Sequence, residues 1–222
     1  MITRIGLLFV LVLAGLTAAC EGQVGSLKIV NGSGNVVTEE RDVSDFTAVS
    51  LQGVGDLFVD QTGSESLTIT ADDNLLPYIE ARVSGDTLII SIERNTTFSD
   101  VAELTYRVTV AELDSLELDG LGKITADNLD GEVLTVTLDG AGDITVSGEV
   151  DRQTVEVNGA GGYNAADLQS QEAKVTHNGA GLAVVQVSDQ LDATINGIGR
   201  VEYIGDPQVT KEVSGLGSVQ QR

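Results

Sequence analysis

The sequence contains a single cysteine, a single histidine and no tryptophan. One thiol excludes an intramolecular disulfide framework and any cysteine-rich zinc or iron–sulfur centre, and one imidazole excludes multi-histidine metal sites. Basic residues are scarce too: 12 Lys and Arg stand against 34 Asp and Glu, a formal net charge of -22. Such a chain is a poor partner for nucleic acid, whose binding rests on neutralising phosphates, and an anionic membrane surface repels it. Proline occurs only 2 times and aromatics make up 4%, yet hydrophobic residues reach 41%, too many for a disordered acidic tail. With 26 glycines in 222 residues, this balance points to many short strands and tight turns in one domain, or at most two small ones.

The one long uncharged apolar run, Ile5 to Leu16, follows Arg4 and is short for a bilayer span but suited to the core of a signal peptide. It ends in Leu16-Thr17-Ala18-Ala19-Cys20, which resembles a bacterial lipobox: small residues admit the signal peptidase, and the Cys20 thiol receives the diacylglycerol. Residues 1–19 therefore read as a lipoprotein signal peptide and Cys20 as the lipidation site, with the membrane reached through a diacylglyceryl anchor. Cleavage removes Arg4, leaving 11 basic against 34 acidic residues and a mature net charge of 11 − 34 = −23. Glu21 stands where an Asp is the usual signal for inner-membrane retention, which favours the outer membrane. Residues 20–35, rich in Gly, Ser and Asn, read as a flexible tether.

A Gly-X-Gly triplet recurs at Gly120, Gly140, Gly159, Gly179, Gly197 and Gly215, with first-glycine spacings of 20, 19, 20, 18 and 18, and a copy at Gly53 lies apart upstream. Aligned on the first glycine, the residues four before it are Val49, Leu116, Val136, Val155, Val175, Ala193 and Lys211. Those two before are Leu51, Leu118, Leu138, Val157, His177, Ile195 and Val213, and the alternation resumes with Leu57, Ile124, Ile144, Tyr163, Ala183, Val201 and Val219. Apolar columns of period two mean strands with one buried face. The residue between the glycines is also always apolar. A unit of this length is too short for a two-helix repeat and fits one triangular coil of a right-handed parallel β-helix. Coils stacked at ~4.8 Å make the five steps between six triplets a rod of roughly 24 Å. Glycine suits the sharp corner, where φ > 0 is expected.

The residue before each triplet is Gln52, Asp119, Asp139, Asn158, Asn178, Asn196 and Ser214. Stacking places the three asparagines in a stabilising amide ladder. It also brings Asp119 and Asp139 to roughly 5 Å, where like charges repel unless a cation, a proton or water relieves them. They are the candidate metal ligands. Residues 36–112 are less regular, with strands expected around Thr47–Leu51, Leu57–Val59, Leu67–Thr70, Thr87–Ile92 and Tyr106–Val110. A short helical turn is expected at Asn74–Ile79, capped by Asp72 or Asp73. They read as the first coils and cap of the solenoid, with 113–222 its regular part. A separate small β-domain is the alternative.

The leader and lipobox, the Phe46-centred strand, the Gly53 triplet with Asp56-Leu57, the stretch Ala71-Asp72-Asp73-Asn74-Leu75 and the serial triplets together resemble the bacterial head GIN domain family of auto-transporter adhesins. The resemblance spans residues 36–222 and implies a β-helical, envelope-attached protein with no established reaction. No transporter barrel is written in these residues, so the family implies here a lipid-tethered head.

Other motifs do not build a reaction. A dinucleotide fingerprint lacks its third glycine in every copy, and a calcium β-roll fails because the residues after the triplets read Asp56, Lys123, Asp143, Gly162, Leu182, Arg200 and Ser218. His177, the only histidine, sits in an apolar column and reads as structural, which leaves no Ser-His-Asp triad. The expectation is a non-enzymatic adhesin or scaffold of the outer membrane, without cofactor, that binds a protein or glycan partner through flat sheet faces. The alternative is a carbohydrate-active β-helix enzyme, a lyase or hydrolase using surface acids. Lys211 and the polar tail Gln220-Gln221-Arg222 blunt the last coil, so a monomer or weak end-to-end dimer is expected.

Overall fold

A computed structural model describes residues 27–222. The signal peptide, Cys20 and residues 21–26 of the expected tether lie outside the described residues. The less regular half holds β1 (Lys28–Asn31), β2 (Val36–Arg41), β3 (Ala48–Gln52), β4 (Val54–Gln61) and β5 (Ser66–Asp72), then β6 (Ile79–Ser84), β7 (Thr87–Ile92), β8 (Thr96–Ser99), β9 (Leu104–Val110) and β10 (Ser115–Leu118). Four long strands follow, β11 (Leu121–Leu138), β12 (Ala141–Val157), β13 (Ala160–His177) and β14 (Ala180–Ile195), and then β15 (Ile198–Ile204), β16 (Gln208–Val213) and β17 (Ser218–Gln221).

Each long strand is most of one coil and pairs in parallel with the same positions of the next, as in Ile124 beside Ile144, Val136 beside Val155 and Leu138 beside Val157. The molecule is an all-β solenoid of stacked parallel coils. The columns aligned on glycine are the physical columns: Leu116, Val136, Val155, Val175 and Ala193 are buried, as are Leu118, Leu138, Val157, His177 and Ile195. Fully burying each such aliphatic side chain stabilises the stack by about 1.5–3 kcal/mol. Both columns reach the surface in the last coil, where Lys211 and Val213 are exposed.

The upstream Gly53 triplet is a direct neighbour of the regular coils, since Val49 pairs with Leu116 and Gly55 with Gly122. Between these two coils the chain makes an excursion that covers this end of the stack. β7 lies parallel beside β3 and β9 parallel beside β4, whereas β6 and β5 are antiparallel to β7 and β9, and β2 is antiparallel to β5. Strands β2 to β7 and β9 thus belong to the same sheet as the regular coils.

Two local expectations are corrected. Within 20–35, residues Lys28–Asn31 form a strand rather than a tether, paired in parallel with Thr96–Ser99. Its Lys28 ammonium lies 4.0 Å from the Tyr78 ring centroid. The helical turn is a single 3-10 turn, Leu76–Tyr78, whose N-cap Leu75 receives no side-chain cap. Asp72 and Asp73 instead hold neighbouring loops: Asp72 Oδ1 accepts from Gly34 N at 2.5 Å and its Oδ2 from Ala102 N at 2.9 Å, while Asp73 accepts from Ser33 Oγ at 2.6 Å and Asn35 Nδ2 at 2.8 Å.

The corner glycines meet the expected need for positive φ in part and a second need throughout. None of the first glycines of the regular triplets has positive φ. What forbids a side chain is the coil below: a Cβ on Gly120 would overlap the carbonyl oxygen of Gly53, and the same holds for Gly140 over Gly120, Gly159 over Gly140, Gly179 over Gly159, Gly197 over Gly179 and Gly215 over Gly197. Positive φ belongs to the second glycines of the first four regular triplets, such as Gly181 at 147°, and not to Gly199 or Gly217.

Candidate binding edge and recess

The triplets make one straight corner along the stack, and two rows of side chains stand on it. In the first row Asn158 Nδ2 donates to Asp139 Oδ1 at 2.7 Å, Asn178 Nδ2 to Asn158 Oδ1 at 2.7 Å and Asn196 Nδ2 to Asn178 Oδ1 at 2.8 Å. A primary amide offers two N–H donors and two acceptor lone pairs, so each rung keeps capacity for a ligand after binding its neighbours. The second row is the residue between the glycines. It faces solvent: Leu121 is 58% exposed, Ile198 66% and Leu216 79%, with Ala141, Ala160 and Ala180 exposed between them. The apolar character of this position is visible in the sequence, but its outward direction depends on how the chain rounds the corner.

Asp119 and Asp139 occupy consecutive coils of the first row, their backbone N–H groups bonding Leu51 O and Leu118 O. The Asp139 carboxylate is engaged by Asn158, and among the described residues no group of three or more His, Cys, Asp or Glu could hold a metal ion. His177 is fully buried, and neither ring nitrogen has a hydrogen-bond partner. Its ring lies behind Gly199, whose hypothetical Cβ would meet Nδ1 at 2.6 Å. Burial lowers its pKa from the usual 6.5, against weaker opposing backbone interactions. A ring sealed in the core cannot take a proton from a bulky substrate. Asp72 is likewise buried, which alone would raise its pKa, but the N–H groups of Ala102, Gly34 and Glu103 bring it below the ordinary carboxylate value.

A second feature has no counterpart in the sequence reading. At another corner of the coils a recess of about 310 Å³ opens among residues that include Glu149, Gln169, Ser170, Gln186, Ser188 and Asp206. Behind it the core contains a hydrogen-bonded polar chain: Tyr163 Oη donates to Gln153 Oε1 at 3.0 Å, Gln153 Nε2 to Ser170 Oγ at 2.8 Å, and Ser170 Oγ to the carbonyl of Gln186 at 2.8 Å. Tyr163 and Gln153 are buried, and burial raises the Tyr163 phenol far above its usual pKa, so it is a permanent donor.

Comparison with known proteins places this geometry. Residues 45–207 match the family model described as "Putative auto-transporter adhesin, head GIN domain". A crystal structure of a "putative adhesin" from Bacteroides fragilis is similar at a TM-score of 0.74 and 20% identity, over 87% of this chain and 100% of that one. A structure called "Putative lipid binding protein" from Parabacteroides distasonis is similar at a TM-score of 0.56 and 25% identity, over 88% of this chain and 100% of that one. The former likeness is one of fold alone. No curated protein matches the chain.

Proposed function

The chain belongs to the family described as "Putative auto-transporter adhesin, head GIN domain", and from that premise we propose that it is a non-enzymatic, lipid-anchored cell-envelope protein that binds a protein or glycan partner. The observation that carries this reading is the corner edge, where exposed apolar residues run beside a ladder of amides. Solvent-facing Leu121, Ile198 and Leu216 form a ridge that a stabilising role does not require, since a polar residue would serve the corner equally well. Apolar contact flanked by uncharged donors and acceptors suits a partner surface or a saccharide chain lying along the stack. From Asn158 onward the two rows hold no charged residue, in a chain of net charge -22, so contact along them brings no carboxylate of their own against the partner.

Membership of an adhesin family supports attachment to the envelope, and the lipobox ending at Cys20 supplies the means; Glu21 favours the outer membrane. The test uses proteoliposomes bearing the full lipidated chain, applied to a glycan array and, in parallel, to envelope proteins in a pull-down. Selective capture by a few glycans or one protein is expected. Capture of nothing in either assay overturns the reading.

A further inference from the structure

The recess has a definite origin in the sequence. The coil that starts at Gly159 spans 20 residues to the next triplet, and the coil from Gly179 spans 18. The two stay in register from Ala160 beside Ala180 to Ala165 beside Val185, after which Gln169 pairs with Gln186. Ala166, Asp167 and Leu168 therefore have no partner in the shorter coil. The next coil follows the shorter path, Ile204 pairing with Gln186 and Gln208 with Gln190. Where a repeat stack becomes shorter its surface steps inward, and the recess lies at that step.

The core behind the step departs from pattern at the same level. Gln153 interrupts the column Leu134, Gln153, Ala173, Leu191. Ser170 stands between Val150 and Val187, and Tyr163 between Ile144 and Ala183. Three columns otherwise apolar at these levels each carry a polar group here, and the three are linked in a chain that runs from Tyr163 through Gln153 to Ser170 and ends on the Gln186 carbonyl. An aliphatic residue at Ser170 would take its hydroxyl donor from the Gln186 carbonyl, so the coincident polar departures hold the step in shape beneath the recess.

We propose that this recess binds one neutral pyranose unit of a glycan. Its size falls at the lower end of small-molecule sites, enough for a single ring. The lining includes Gln169 and Gln186, whose amides donate and accept at once, Ser188, whose hydroxyl donates to Asp189 Oδ1 at 2.9 Å and keeps its acceptor capacity, and Glu149 and Asp206, whose carboxylates can each accept from two adjacent ring hydroxyls. The lining contains no Lys or Arg, so an acidic sugar or a phosphate finds no counter-charge. The buried chain fixes the Ser170 hydroxyl at the floor through Gln153 and Tyr163. The recess lies on a different corner from the amide ladder and goes beyond the reading of the edge.

The experiment uses the full chain in detergent micelles, isotope-labelled, titrated with the methyl glycosides of glucose, galactose, mannose, fucose and N-acetylglucosamine while side-chain amide signals are followed by NMR. At least one glycoside is expected to shift the Gln169 and Gln186 signals, with affinity falling about tenfold in Gln186→Ala, the loss of roughly one good hydrogen-bonding group. Gln153→Leu, which restores the residue type of its column, is expected to fold and to weaken the same titration. The proposal is overturned if no glycoside moves those two signals, or if methylammonium moves them and no glycoside does. It is also overturned if the glycosides shift only Asn158, Asn178 and Asn196, a result that leaves the binding edge standing.

Discussion

His177 is the residue whose chemistry is most exposed to pH, although its side chain is sealed from solvent. Its folded-state pKa lies below the usual 6.5, so the unfolded chain binds the proton more readily than the folded one. Stability from this site is complete above about pH 6.5 and falls as the pH drops from there toward the folded-state value. Thermal melts of wild type should therefore move down between pH 7.5 and 5.5, and the shift should shrink in His177→Ile, which matches Ile195 in the next coil. Equal shifts in both proteins would show that the ring does not carry the effect. Glycines give a second contrast at this scale. A Cβ on Gly140 would strike the Gly120 carbonyl, whereas one on Gly131 meets nothing within 4 Å. Denaturant unfolding should find Gly140→Ala destabilised by about 1–3 kcal/mol or more, and Gly131→Ala within about 1 kcal/mol of wild type on either side.

At the scale of elements, the regular coils were legible because a parallel stack puts residues one repeat apart directly beside each other. Aligning triplets therefore recovers true neighbours, such as Val155 beside Val175 and Val157 beside His177. The excursion was less legible: β2 is exposed along most of its length and carries no apolar alternation, and β1 exposes Ile29 at 63%. Both are positioned by pairing with distant strands. The recess is less legible for a different reason: Gln153 keeps register with Leu134, Ala173 and Leu191 but meets its partner Ser170 only in space, and Ser170 lies where consecutive coils differ in length. The amide ladder was readable as stabilising, and its strength can be measured. Asn178→Ala breaks two side-chain bonds, to Asn158 and from Asn196, and should cost about 1–2 kcal/mol in equilibrium unfolding, near the low end because the rungs are exposed. No loss would mean that water replaces the ladder without penalty.

At the scale of the whole molecule, the stacked coils present one corner from Gly53 to Gly217, and the proposed anchor at Cys20 lies upstream of them. The tether is tested by Cys20→Ser in the full chain: acyl labelling should disappear and the protein should leave the membrane fraction, and unchanged membrane retention would remove the anchor from the account. If the partner touches the exposed row beside the amide ladder, a charge placed there must weaken it, which a binding isotherm reads by comparing wild type with the double variant Ala180→Glu and Ile198→Glu against whichever array glycan or envelope protein wild type selects. Both positions are exposed on the corner, so the variant keeps its circular dichroism and melting behaviour. Affinity is expected to fall about tenfold or more; undiminished binding by the folded variant would remove the corner from the interface.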